Sequence, residues 1–171
     1  MKHTDNKLRL IALTAMFAAL TYTLTAFLHV PTIKGYVHVG DGVIFLASAI
    51  LPTPYAAAAG AIGAGLSDAL SGYFIWVPAT VLIKGLTTLA FTSKGEHIVN
   101  TRNLLALIPA LILCVGGYGL YSGLVIYHSL AAGFADAAAN AVQTIASGIV
   151  FVLSGTALDR SGAARKIKHI G

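Results

Sequence analysis

The chain has 171 residues, 57% of them hydrophobic and only 10% charged, with a mean hydropathy of +0.81. Soluble domains carry about 25% charged residues, and one of this size has no interior large enough to hide so much apolar surface. These values exclude a soluble enzyme or nucleic-acid-binding domain and leave the formal charge of +5 to be explained by the topology of a polytopic membrane protein.

The first predicted element is the apolar run Leu10–Leu28 behind Lys2, Lys7 and Arg9. It exceeds the roughly 7–15 residues of a signal-peptide core and no small-x-small cleavage site follows, so it is expected to stay as a first span. Ala12, Ala15 and Ala19 form a small-residue stripe along it, a face that lets a second helix approach closely. The next stretch, 42–66, is interrupted by Pro52-Thr53-Pro54, which removes helical donors and predicts a tight turn.

That turn gives six spans, at about 8–28, 40–51, 54–71, 78–92, 104–127 and 137–158, in a single integral membrane domain over 1–171. The fold class expected is all-α, with both termini cytoplasmic. Basic residues support the count. Lys2, Lys7, Arg9, Lys94, Arg102, Arg160, Arg165, Lys166 and Lys168 then share the cytoplasmic side, while the outer loops hold only Lys34. Five spans would move Lys94, Arg102 and the basic tail outside, against the positive-inside rule. The lone Cys114 sits in an apolar run and permits no internal disulfide.

Polar groups inside spans are expensive and usually face a cavity or each other. At about 1.5 Å rise per residue, Asp68 stands roughly 20 Å from the inner turn, and Lys84 about 9 Å inward from Pro78. Asp41 opens the second span at its outer end. Asn140 and Gln143, three residues apart on one helix face, lie near the outer start of the sixth. Tyr127 and His128 close the fifth, with Tyr118 and Tyr121 one to two turns deeper and Trp76 just before the fourth.

The inner halves offer only scattered Thr and Ser. A pore or midplane transport site calls for polar groups through the whole thickness. A pocket open to the outside over an apolar floor fits better. Each residue also has a structural reading: Asp68 neutralising Lys84, Asp41 capping a helix, Asn140 and Gln143 joining helices, the aromatics forming an interface belt. The histidines lack metal-ligand spacing, and no nucleophile elbow, zinc-protease or phosphate-loop motif is present, so no enzyme, cofactor or metal site is expected.

Six short spans, Ala15-x-x-x-Ala19, Val39-Gly40-Asp41, Gly60-Ala61-Ile62-Gly63 through Ser67-Asp68-Ala69-Leu70-Ser71-Gly72, and Trp76-Val77-Pro78-Ala79-Thr80 to Lys84-Gly85 together resemble the S components of energy-coupling factor (ECF) vitamin transporters. The similarity runs along the chain and is strongest from His38 to Gly85, nearest the branch for riboflavin, hydroxymethylpyrimidine and pyridoxine-like substrates. It implies a substrate-binding subunit of the cytoplasmic membrane with no ATPase of its own. Such subunits dock on a transmembrane T protein carrying two ATPases, with Ala15 and Ala19 on the docking face.

The pocket is then expected from the loop after the first span and from spans four to six. The substrate residues expected are Lys84, Asn140, Gln143, Asp68, Trp76, Tyr118, Tyr121, His128 and Asp41. The expected ligand is a small vitamin or precursor, pyridoxine- or hydroxymethylpyrimidine-like first and riboflavin next. The competing class is a stand-alone secondary transporter coupled to protons through Asp68 and Lys84.

Overall fold

The computed structural model describes residues 2–31 and 36–168; Lys34 lies outside them. The chain forms α1 (Lys2–Phe27), a two-stranded antiparallel hairpin β1 (His29–Pro31) and β2 (Tyr36–His38), α2 (Asp41–Ile50) and α3 (Thr53–Leu70). There follow α4 (Val77–Thr87), flanked by single 3-10 turns, α5 (Thr101–Leu105), α6 (Leu107–Tyr121), α7 (Leu130–Arg160) and α8 (Ala163–Lys168). In the hairpin His29 pairs with His38 and Pro31 with Tyr36. That strand pair is the one departure from an all-helical chain among the described residues.

Local chemistry explains the breaks. The α2 helix ends at Ile50 because Leu51 turns to extended backbone ahead of Pro52, and α3 restarts with Pro54 in its first turn, where a missing N–H costs nothing. Asn100 caps α5 by accepting the Asn103 N–H, and Ser129 caps α7 by accepting that of Ala132. After α6 the chain continues in a π-helical turn, Ser122–Ile126. The α7 helix begins at Leu130, well before the apolar segment near 137, because that Ser129 cap lets the Ala-rich stretch extend it toward the turn.

The surface is apolar and the interior polar in places, the reverse of a soluble protein. Phe74, Leu82, Ile112, Val142 and Leu153 are all exposed, while Thr21, Asp41, Lys84, Asn103, Gln143 and Ser147 are buried. Three helices, Asn6–Phe27, Thr101–Ile126 and Leu130–Arg160, are long and apolar enough to cross a bilayer. With a chain about 81% helical, this is the surface of an integral membrane protein rather than of a soluble bundle.

Helices α1 and α3 approach closely at Gly63, where a Cβ would stand 2.5 Å from the Ala18 carbonyl oxygen and 2.8 Å from Thr21 Cβ. Phe45, Phe91 and Phe151 stack and abut in the centre, joining α2 to α7. Away from the hairpin, the loop after α4 is tied to both later helices. The Asp159 carboxylate accepts the Ile98 and Val99 N–H groups at 2.9 and 3.0 Å, and Lys168 donates to the Gly95 carbonyl at 2.8 Å. Asn103 donates to the Thr92 and Ile98 carbonyls and accepts the Thr92 N–H.

Candidate functional site

At the hairpin end α3, α4, α6 and α7 leave a cavity that the hairpin covers. Its lining comes from Tyr36, Val37 and His38 of the hairpin, Asp68 of α3, and Trp76 and Thr80 at the start of α4. Tyr118 of α6 and Asp136, Ala139, Asn140 and Gln143 of α7 complete it. Five of the residues expected from the sequence therefore meet here: Asp68, Trp76, Tyr118, Asn140 and Gln143.

The apolar wall is aromatic. Trp76 meets Tyr118 edge-on, ring centres 5.8 Å apart, and packs at the same distance against Tyr121. Tyr121 itself stands behind the wall, its hydroxyl donating to the Ile75 carbonyl. Tyr118 and Thr80 share a hydroxyl hydrogen bond of 2.9 Å across α4 and α6.

The lid is held by Tyr36, a residue the sequence reading did not single out. Its hydroxyl donates to Asp68 Oδ1 at 2.6 Å and lies 3.3 Å from the Ser67 hydroxyl, while its ring packs on His29, His38 and Tyr73. His38 Nδ1 accepts the Gly40 N–H at 3.1 Å, so the neutral ring carries its proton on Nε2. Burial holds this imidazole down at about 4, against the opposing pull of Asp41, and keeps it neutral near pH 7.

Two expected residues, Lys84 and Asp41, lie beneath the cavity and do not line it. Lys84 Nζ donates to Asp41 Oδ2 at 2.8 Å, and the two side chains are each 3% exposed. Of the two readings of Lys84, ligand contact or neutralisation by Asp68, the structure shows neither: its partner is Asp41 of α2. The reason is geometric: the side chain of Asp41 turns inward, and no side chain caps α2. Gln143 joins this layer to the lid, since Nε2 donates to Asp41 Oδ2 at 2.9 Å and Oε1 accepts the His38 N–H at 3.3 Å. Cys114 Sγ lies 3.7 Å from Lys84 Nζ, whose ammonium also stands 5.1 Å from the centre of the Tyr118 ring.

His128 stays apart from the site. It is exposed in the turn before α7, with a φ of 51°. Ala15 and Ala19 are exposed on the outer face of α1, far in sequence from any cavity residue. Asp136 was missed, although its spacing from Asn140 and Gln143, four and seven residues on, puts all three on one helix face. Among the described residues no group of His, Cys, Asp and Glu is arranged to hold a metal ion.

An apolar exterior, three membrane-length helices and a polar cavity roofed by a hairpin define the class: an integral membrane protein with a small polar cavity at one end. A family model described as "ECF-type riboflavin transporter, S component" matches residues 5–160, and the chain belongs to this family. The family is a component of membrane transporters for vitamin uptake, not a family of enzymes. ECF S components work with a T component and ATPases. No curated protein matches the chain.

Proposed function

We propose that this chain is the substrate-binding subunit that captures a small heteroaromatic vitamin or vitamin precursor from outside the cell for ATP-driven uptake. The observation that carries this reading is the cavity itself: an aromatic wall of Trp76 and Tyr118 facing the polar edge of Asp68, Asp136, Asn140 and Gln143. A flat ring stacks on the first and is read at its rim by the second. Its partners would be a transmembrane T protein and two ATPases, with Ala15 and Ala19 on the docking face. The chain would lie in the cytoplasmic membrane with six spans and both termini inside.

A one-ring ligand of the pyridoxine or hydroxymethylpyrimidine type comes first and riboflavin second. The covered cavity measures about 50 Å³. An engineered cavity that accepts benzene has about 150 Å³. Any ligand must therefore displace the hairpin or its side chains, and each further ring raises that demand. The proton-coupled alternative relied on Asp68 and Lys84 acting together; Lys84 is instead committed to Asp41.

The test is mass spectrometry of small molecules that co-purify with the detergent-solubilised protein, followed by titration calorimetry with the compound found. A heteroaromatic vitamin bound at one site per chain is expected. Uptake by cells lacking any T protein and ATPase would overturn the binding-subunit reading.

A further inference from the structure

Asp68 is left half-satisfied. It is 6% exposed, lines the cavity, and gives Oδ1 to the Tyr36 hydroxyl, while its buried Oδ2 has no hydrogen-bond partner. A buried carboxylate oxygen without a donor is costly. Of the neighbouring hydroxyls, Ser67 lies against the Tyr36 hydroxyl, and Thr80, which shares a hydrogen bond with Tyr118, also stands beside the Asp68 carboxylate.

The second charged group on the lining, Asp136, is also acidic. Among the described residues no lysine or arginine lines the cavity; the nearby ammonium of Lys84 is bound to Asp41 beneath it. His38 is held neutral, its Nδ1 occupied by the Gly40 N–H. The described lining therefore offers acceptors and negative charge, with no cationic side chain to receive an anion.

We propose that the ligand brings a hydrogen-bond donor to Asp68 Oδ2 and carries no anionic group, so that the site selects an amino-substituted or ring-protonated heteroaromatic over its des-amino and phosphate-ester counterparts. This rests on the vitamin-binding reading and narrows its substrate class. A donor is the match because a hydrogen bond to a carboxylate is charge-assisted, and an amino group or a protonated ring nitrogen presents one at the rim of a flat ring. A phosphate ester would add charge of the same sign beside two carboxylates.

The experiment is titration calorimetry on the purified full chain with three probes: a hydroxymethyl aminopyrimidine, the des-amino pyrimidine with hydrogen in place of the amino group, and the phosphate ester of the first. Pyridoxine and riboflavin are run beside them. The amino compound is expected to bind at least ~10-fold more tightly than the des-amino compound, with the ester undetectable. Pyridoxine, measured on either side of its ring-nitrogen titration, reports whether a protonated ring nitrogen serves in place of the amino group. Asp68→Asn should bring the ratio of amino to des-amino affinity to within about threefold.

The wild-type comparison needs no variant, so a poorly folded Asp68→Asn protein does not remove the test. A des-amino compound that binds as well as the amino one, or an ester that binds as tightly, overturns this inference while leaving the vitamin-binding reading intact. If none of the five compounds binds, the binding reading fails for this ligand class and the inference falls with it.

Discussion

Lys84 of α4 and Asp41 of α2 form an ion pair of 2.8 Å in which each side chain is only 3% exposed. Two charges buried together are tolerable; one alone is not. Lys84→Met should lower stability by about 3–5 kcal/mol, because it leaves a carboxylate uncompensated in the core. The double variant with Asp41→Asn should recover a large part, since the new amide oxygen still accepts from Gln143. Thermal unfolding in detergent measures both. A single variant as stable as the wild type would show that water reaches the pair.

Asn140 and Gln143 share a helix face but differ in role, and their alanine variants should differ accordingly. Asn140→Ala removes only a cavity-lining amide and should weaken ligand binding about 5- to 150-fold with little change in stability. Gln143→Ala removes the strut between Asp41 and the His38 N–H, so it should also release the hairpin. Hydrogen exchange at His38 and Val37 checks this. Equal protection in the two variants would contradict the strut.

His38 makes stability pH-dependent in a defined direction. Its ring titrates near 6.5 when unfolded and at about 4 in the fold, so between those values only the unfolded chain takes up the proton. The contribution is complete above about pH 6.5, is lost as pH falls toward 4, and declines no further below that. His38→Asn keeps an acceptor for the Gly40 N–H and has no proton to gain. Its melting temperature should therefore fall less than that of the wild type between about pH 7.5 and 4.5. Parallel curves would show that His38 does not contribute.

Ala15 and Ala19 are exposed one turn apart on α1 and touch no cavity residue in sequence or lining. Replacing either with Leu or Phe should leave ligand binding within about twofold and abolish uptake, because a bulky side chain holds a partner helix away. Binding by calorimetry and uptake in whole cells separate the two effects. Wild-type uptake in both variants would remove this face from consideration as the docking surface.

Lys168 donates to the Gly95 carbonyl and Asp159 accepts from Ile98 and Val99, so the α4–α5 loop and the C-terminal helix stand on one side of the membrane. On the positive-inside rule we propose that this side is the cytoplasm. Lys166→Cys and Lys94→Cys should both resist an impermeant external thiol reagent in intact cells and react after permeabilisation. External labelling of either would invert the topology.

What the sequence determined by itself was written in composition and local pattern. Hydropathy alone identifies a membrane protein, since so few charges leave no polar exterior for water. Pro52 and Pro54 mark the break between α2 and α3 because proline's missing N–H acts on its own turn whatever surrounds it. The gathering of Asp68, Asn140 and Gln143 at one end followed from helical rise, a one-dimensional quantity. Pairing is different. Whether Lys84 meets Asp68 or Asp41 depends on the rotation of α2 and α3 about their axes and on their crossing with α4. Close approaches such as Gly63 against Ala18 decide that rotation, not any residue's own propensity. The hairpin lid was likewise decided in three dimensions: Tyr36 gains its meaning only where Asp68, many residues later, offers a carboxylate to its hydroxyl.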